Sequence, residues 1–238
     1  GYPMPQMAHL PMILGPDRAK LSKRHGASSV LEYREEGFLH EAMVNFMALL
    51  GWSLDDKTDV MSRDVLIEHF SLERIGKGAA VFDLDRLQWM NGVYIRTLED
   101  DDLAERMLPY LGGDGVVDRG YLRRIVPLVR ERLKTMADVP EWTSYFFKEE
   151  LSYDAADLVQ KGMDRDSTVA ALEATLRVLE GTGELAVEPL EEGLRAAAAE
   201  LELSGRKLFG AIRVAVTGRS ASPPIFETME VLGRARCR

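Results

Sequence analysis

The 238 residues are 46% hydrophobic and 29% charged, enough apolar surface for a sizeable core and too much for a wholly disordered chain. Thirty Lys and Arg against 39 Asp and Glu give a formal net charge of -9, which argues against a sequence-blind nucleic-acid coat that would need a basic surface. No stretch offers the roughly 20 apolar residues of a membrane-spanning helix. No basic-then-apolar leader is visible, so a cytoplasmic location with no membrane contact is the default, and the single cysteine, Cys237, excludes an internal disulfide and a cysteine-based zinc site.

The first element, AHLPMIL (8–14), is short and apolar, carries Pro11 and stops at Gly15-Pro16, the pattern of an edge strand or strand end. A basic loop, KLSKRHGAS (20–28), follows. From there the apolar spacing is helical. In LHEAMVNFMALLG (39–51), Leu39, Met43, Phe46 and Leu50 share a face and Gly51 suits the position after the C-cap. Trp52 and Trp89 sit in apolar helical patterns and read as core anchors. Asn91-Gly92 suggests a helix end, with Arg96 beyond it able to reach a phosphate. EDDDL (99–103) places acids where a helix N-terminus favours them and opens a new unit. LGGDG (111–115) is a turn, and QKGMDRDS (160–167) is a polar break between helical groups. DSTVAALEATLRVLEG (166–181) has Asp166 or Ser167 as its cap, and EPLEEGLRAAAAELEL (188–203) has Pro189 at its first helical position. RKLFGAIRVAVTG (206–218) and PPIFETMEVLG (223–233) complete a mainly α chain.

Charge is segregated along it. Residues 99–105 hold five acids and no base, 119–134 six bases against Glu131, and 205–219 four bases and no acid. Basic stripes on an acidic body suit a selective polyanion binder, and they equally suit plain solvated helix faces.

In KLSKRHG, two lysines flank a serine in a loop closed by glycine. Such a loop can wrap donors around an anion, and a lysine there stabilises charge as pyrophosphate departs in a nucleotidyl-transfer step. The plain alternatives are an exposed basic turn and, for Ser22, a helix cap.

The stretch HLPMILGPDRAKLSKRHGASSVLEYREEGFLHEAMVNFMALLGW (9–52) resembles the segment around the second class I signature of bacterial glutamyl-tRNA synthetases, with Lys20-Leu21-Ser22-Lys23-Arg24 as the signature loop. VFDLDRLQWMNGVYIR (81–96) is similar to the family's segment near the inside of the tRNA elbow, and RVAVTGRSASPPIFETMEVLG (213–233) to its anticodon-binding end. Residues 100–205 match more loosely. Family members are about twice this length and carry a histidine–isoleucine–glycine–histidine type motif that is absent here, where His9, His25, His40 and His69 stand apart. The resemblance therefore implies the C-terminal half of such an enzyme, cut inside its catalytic domain and unable to activate glutamate alone.

On that resemblance the chain comprises a catalytic-domain tail (1–30), a short remnant of a class I α/β fold. A helical stem-contact region (31–98) and two all-α anticodon-binding sub-bundles (99–165 and 166–238) follow. The intact enzyme would be a monomer that joins glutamate to tRNA-Glu through glutamyl-adenylate, using ATP and Mg2+, with no cofactor expected in the fragment. Lys23 would contact the ATP phosphates, supported by Lys20 and Ser22. Arg132 falls where discriminating family members use an arginine for the third anticodon base, whose cytosine edge accepts hydrogen bonds from a guanidinium. Arg213, Ser222 and Ile225 match positions lining the anticodon pocket, although Ile225 equally suits a core. Arg130 and Arg132 lie two apart on an expected helix, about 200° around it, and so serve different faces. Two other readings stay open: a stand-alone helical tRNA-binding module without catalysis, and a helical scaffold that binds nothing.

Overall fold

In a computed structural model of the chain, residues 2–5, 7–22, 24, 29–112, 117–183 and 185–238 are described. The fold is almost wholly helical and divides into two compact units, Gly1–Glu99 with Leu133–Asp138, and Asp100–Arg132 with Val139–Arg238. Among the described residues no helix is long and apolar enough to cross a membrane.

The first unit contains α1 (Val30–Glu35), α2 (His40–Leu49), α3 (Arg63–His69) and α4 (Leu84–Thr97). Ahead of them, residues 8–14 form no strand. Leu14 alone makes isolated bridges, antiparallel to Lys20 and parallel to Val81. The Leu14 amide donates to the Ala80 carbonyl at 2.9 Å and the Leu14 carbonyl accepts from the Phe82 amide at 2.8 Å. Helix α1 is capped by Ser29 in a reciprocal box with Glu32, so the cap reading for Ser22 does not apply to it.

Helices α2 and α4 close around an aromatic cluster of Tyr33, Phe38, Phe46 and Phe82 with Met43, Leu87 and Met90. Tyr33 stacks on Phe82 at 5.6 Å and Phe46 meets Phe82 edge-on at 4.9 Å. Asp83 starts α4 by accepting from the Arg86 amide at 3.0 Å. The sequence placed Gly92 at a helix end; it is instead buried inside α4, which runs on to Thr97. A Cβ on Gly92 would come within 3.4 Å of the Leu133 carbonyl and 3.2 Å of the Arg96 guanidinium, so its bare Cα lets both approach. Trp52 is buried, but Trp89 is 50% exposed and is no core anchor. The inward residues of α4 are Leu87, Met90, Asn91 and Ile95, and Trp89 lies about 200° around the helix from Leu87.

Segment Leu133–Asp138 joins this unit through side-chain and backbone bonds. Fully buried Asn91 accepts from the Leu39 amide at 2.7 Å and donates to the Lys134 carbonyl at 2.6 Å. The Gly37 carbonyl accepts from the Met136 amide at 2.9 Å, and Gly37 adopts φ +82° with Ala137 so close that a Cβ would sit 2.5 Å from its nitrogen.

The second unit contains α5 (Asp100–Met107), α6 (Arg119–Val129), α7 (Val139–Thr143), α8 (Arg165–Gly181), α9 (Val187–Glu200), α10 (Gly205–Thr217), α11 (Ile225–Leu232) and α12 (Arg234–Cys237). Helix α5 opens on Asp100, Asp101 and Asp102, as the charge pattern suggests. Helices α5 and α6 pack together, α8 packs on α9 and α10, and α11 packs on α6 and α9. Three local expectations shift. Asp164 rather than Asp166 or Ser167 caps α8, with Ser167 returning the bond. Pro189 is the third residue of α9 rather than the first, still in the turn whose amides lack helical acceptors. Helix α6 stops at Val129, and Arg130–Arg132 form a 3-10 turn.

Gly37→Ala is expected to destabilise the chain by about 2–4 kcal/mol, since it strains the backbone and forces Ala137 away. Asn91→Leu should cost a similar, roughly 2–4 kcal/mol amount by stranding one amide and one carbonyl; urea unfolding of the two variants measures both. Burial, opposed by Arg236, pushes the Cys237 thiol up to about 12. Alkylation of Cys237 by iodoacetamide at pH 8 should therefore be slow when folded and fast in urea, because only the thiolate reacts.

Candidate nucleic-acid interface

A tight turn over residues 15–19 leads into the basic loop. The Gly15 amide donates to the Ala19 carbonyl at 2.8 Å, and Asp17 accepts from the Ala19 amide at 2.9 Å. Arg18 takes φ 60° within it. Lys20 emerges opposite Leu14 with its side chain exposed, and Ser22 follows, also exposed. Arg24 is held by Asp17 at 2.8 Å, which offsets part of the loop's charge. Lys23 lies outside the described residues. Among the described residues no cluster of three or more His, Cys, Asp or Glu side chains could hold a metal ion.

Four candidate arginines have different surroundings. Arg96 is half-buried on the last turn of α4 and folds back beside Gly92. Arg130 is half-buried and ion-paired to Asp100 at the start of α5. Arg213, on α10, donates to the Ser222 hydroxyl at 3.0 Å, and Ser222 in turn donates to the Pro223 carbonyl at 2.8 Å. Arg132 is exposed, makes no ion pair among the described residues, and lies over the Trp142 ring with its guanidinium carbon 4.9 Å from the ring centre. A contact through the ring face spends none of the guanidinium's N–H donors.

The structure thus brings Arg213 and Ser222 into contact. Ser222 and Ile225 are 7% and 5% exposed, so Ile225 packs in the core at the start of α11. It gives Arg130 and Arg132 separate environments, because the α-helix expected to carry both ends before them.

Two residues escaped sequence reasoning. Trp142, on the short helix α7, carried no periodic signal, since a 3-10 turn and a non-helical segment separate it from Arg132. Arg219 was visible only as the last base of the 205–219 stripe. It follows Gly218, whose φ of 70° ends α10, and its guanidinium reaches Ser144 at 3.5 Å and Glu141 at 4.0 Å. Burial raises the Tyr145 phenol well above its ordinary range, against the Thr228 hydroxyl and the guanidiniums of Arg219 and Arg132. Thr228 is itself committed to the Pro224 carbonyl at 2.7 Å, and the phenol has no well-formed hydrogen bond among the described residues.

Residues 1–89 match the family of class I tRNA synthetases (E and Q), catalytic domain, and residues 102–238 match the anticodon binding domain. These matches define the class: an anticodon binding domain preceded by a segment that matches a class I tRNA synthetase catalytic domain. The chain belongs to the anticodon binding domain family, whose match covers more than half of it, and it is homologous to glutamate–tRNA ligases. It is 49% identical over 243 aligned residues to a glutamate–tRNA ligase of Dehalococcoides mccartyi, covering 100% of this chain and 50% of the relative. It is 41% identical to that of Moorella thermoacetica, over 98% of the chain and 49% of the relative. A crystal structure of a glutamate tRNA ligase from Elizabethkingia meningosepticum superposes with a TM-score of 0.85 at 25% identity, over 98% of the chain and 50% of that protein. The chain spans about half the length of the curated relatives it matches.

The different surroundings of Arg130 and Arg132 predict unequal stability effects. Arg130→Ala should lower stability by about 1–3 kcal/mol, as it leaves Asp100 unpaired. Arg132→Ala should stay within about 0.5 kcal/mol of the parent, as an exposed site does. Thermal unfolding of the two variants side by side checks the contrast.

Proposed function

We propose that the chain is the tRNA-binding portion of a glutamate–tRNA ligase, and that its second unit reads the tRNA-Glu anticodon. The observation that carries this is Arg132: an exposed guanidinium with no ion pair among the described residues, stacked on an aromatic ring, in a chain that belongs to the anticodon binding domain family. A splayed single-stranded base is recognised at its edge by such a group, and a cytosine offers two acceptors there. Arg213 with Ser222 contributes a second polar contact in the same pocket, with Ile225 as its apolar backing. Arg130 supports the turn that carries Arg132, and Arg96 is assigned to a backbone phosphate in the stem-contact region (31–98). The proposed anticodon reader occupies two sub-bundles, 99–165 and 166–238, and the catalytic-domain tail is 1–30.

For the intact enzyme the proposed reaction is ATP-dependent formation of glutamyl-adenylate and transfer to tRNA-Glu, by a cytoplasmic monomer. Lys23 would meet the triphosphate, with Lys20 and Ser22 supporting the same loop. The exposure of Lys20 and Ser22 fits that use. Mg2+ would be carried by the nucleotide phosphates, which suits a cation that keeps its waters. Residues 1–238 alone are proposed to bind tRNA without activating glutamate.

Titrating the purified chain with tRNA-Glu transcript and an unrelated transcript across salt concentrations tests the reading. Expected is preferential binding to tRNA-Glu that weakens with salt, each lost phosphate contact lowering the log–log slope by about 0.7–0.9. Equal binding to both transcripts would favour the plain scaffold. In an intact enzyme carrying these residues, Lys23→Ala should reduce glutamate-dependent pyrophosphate exchange by at least about 100-fold, the scale of losing one preorganised cation. Arg132→Gln should admit tRNA-Gln as well.

A further inference from the structure

Around α7 the second unit gathers two arginines that the sequence keeps far apart. Helix α7 and the 3-10 turn Ser144–Phe146 supply Glu141, Trp142, Ser144 and Tyr145. Arg132 stacks over Trp142, Arg219 bonds Ser144 and faces Glu141, and both guanidiniums act on the Tyr145 phenol. The arrangement is open to solvent, with Arg132 exposed, Trp142 half-buried and the Arg219 side chain 37% exposed. The 4.0 Å Glu141 pair is loose, so Arg219 can exchange it for another anion.

A long arginine on a three-residue turn would sample many rotamers, and binding would freeze them. Stacking on an indole removes that freedom in advance while leaving the in-plane donors unspent. We propose that Trp142 is a positioning residue: it presents Arg132 edge-on to an unstacked pyrimidine of single-stranded RNA, while Arg219 meets the phosphate beside that base. This rests on the reading of Arg132 given under Proposed function. It adds two residues to that site and separates their tasks, Arg132 with Trp142 carrying base choice and Arg219 carrying charge.

The test uses the full chain, tRNA-Glu transcript, and the same transcript with its third anticodon base changed from C to G. The parent should prefer C by about tenfold or more, the scale of a good guanidinium–base contact. Trp142→Leu should bring that preference to within about twofold, the level expected of Arg132→Ala, and Trp142→Phe should restore most of it. Arg132→Lys, which keeps the charge and loses the planar fork, should erase the preference while keeping the salt slope. Arg219→Ala should lower the salt slope by about 0.7 and leave the preference unchanged. Trp142→Met decides the same point should Trp142→Leu fail to fold. A folded Trp142→Leu or Trp142→Met chain with parental C preference overturns the positioning role, as long as Arg132→Ala has abolished it. A parent with no C preference overturns the reading of Arg132 itself and the inference with it.

Discussion

Long non-helical connectors inside a helical body leave backbone amides and carbonyls that no helix or sheet pairs, and each one stranded in the interior costs about 1–3 kcal/mol. Here side chains meet that demand. Asn91 ties the Leu39 amide to the Lys134 carbonyl, and Asn45 accepts from the Met61 amide at 2.8 Å. Arg74 caps the Ser53 carbonyl at 2.9 Å. In the second unit, Arg234 serves the carbonyls of Thr182 and Gly183, and Arg236 those of Tyr145, Phe146 and Lys148. Irregular segments can therefore remain in place with little regular pairing of their own.

The same demand sorts the positive charges. Arg74, Arg234 and Arg236 spend their donors on backbone, and Arg130 on Asp100, so these guanidiniums are structural cement. Arg119 and Arg123 pair with Glu105 and Asp101 on the acidic helix next to theirs, at 2.7 and 3.1 Å. Much of the 119–134 stripe is thus neutralised by the EDDDLAE run, and a basic stripe in sequence is not a basic patch in space. Arg132 and Arg219 differ because aromatic stacking or a loose contact holds them and their donors stay available.

Helical periodicity, acids at helix starts and glycines at helix ends were legible because each reflects interactions within a few residues. The helices through Leu39–Leu50, Val169–Leu179 and Phe226–Leu232 could be placed on that ground, and Gly218 and Gly233 take the positive φ their positions suggest. The failures were non-local. Gly92 sits mid-helix, where the Leu133 carbonyl from far along the chain and the Arg96 guanidinium lie close to its bare Cα. Trp89 faces outward because the direction of the core, rather than local apolarity, chose the buried side of α4. Residues 8–14 form no strand because Leu14 finds single bridging partners and no ladder.

The sequence by itself determined a mainly α chain, its basic loop and, through motif resemblance, its kinship with glutamyl-tRNA synthetases. Those properties lie in short-range spacing and in runs of residue types. The tertiary structure alone decided that Leu133–Asp138 returns to the first unit, that Arg130 pairs with Asp100 while Arg132 lies over Trp142, and that Arg219 reaches Ser144 and Glu141. Each depends on contacts between distant residues, where the need to satisfy a carbonyl or stack a guanidinium selects partners that no local pattern encodes.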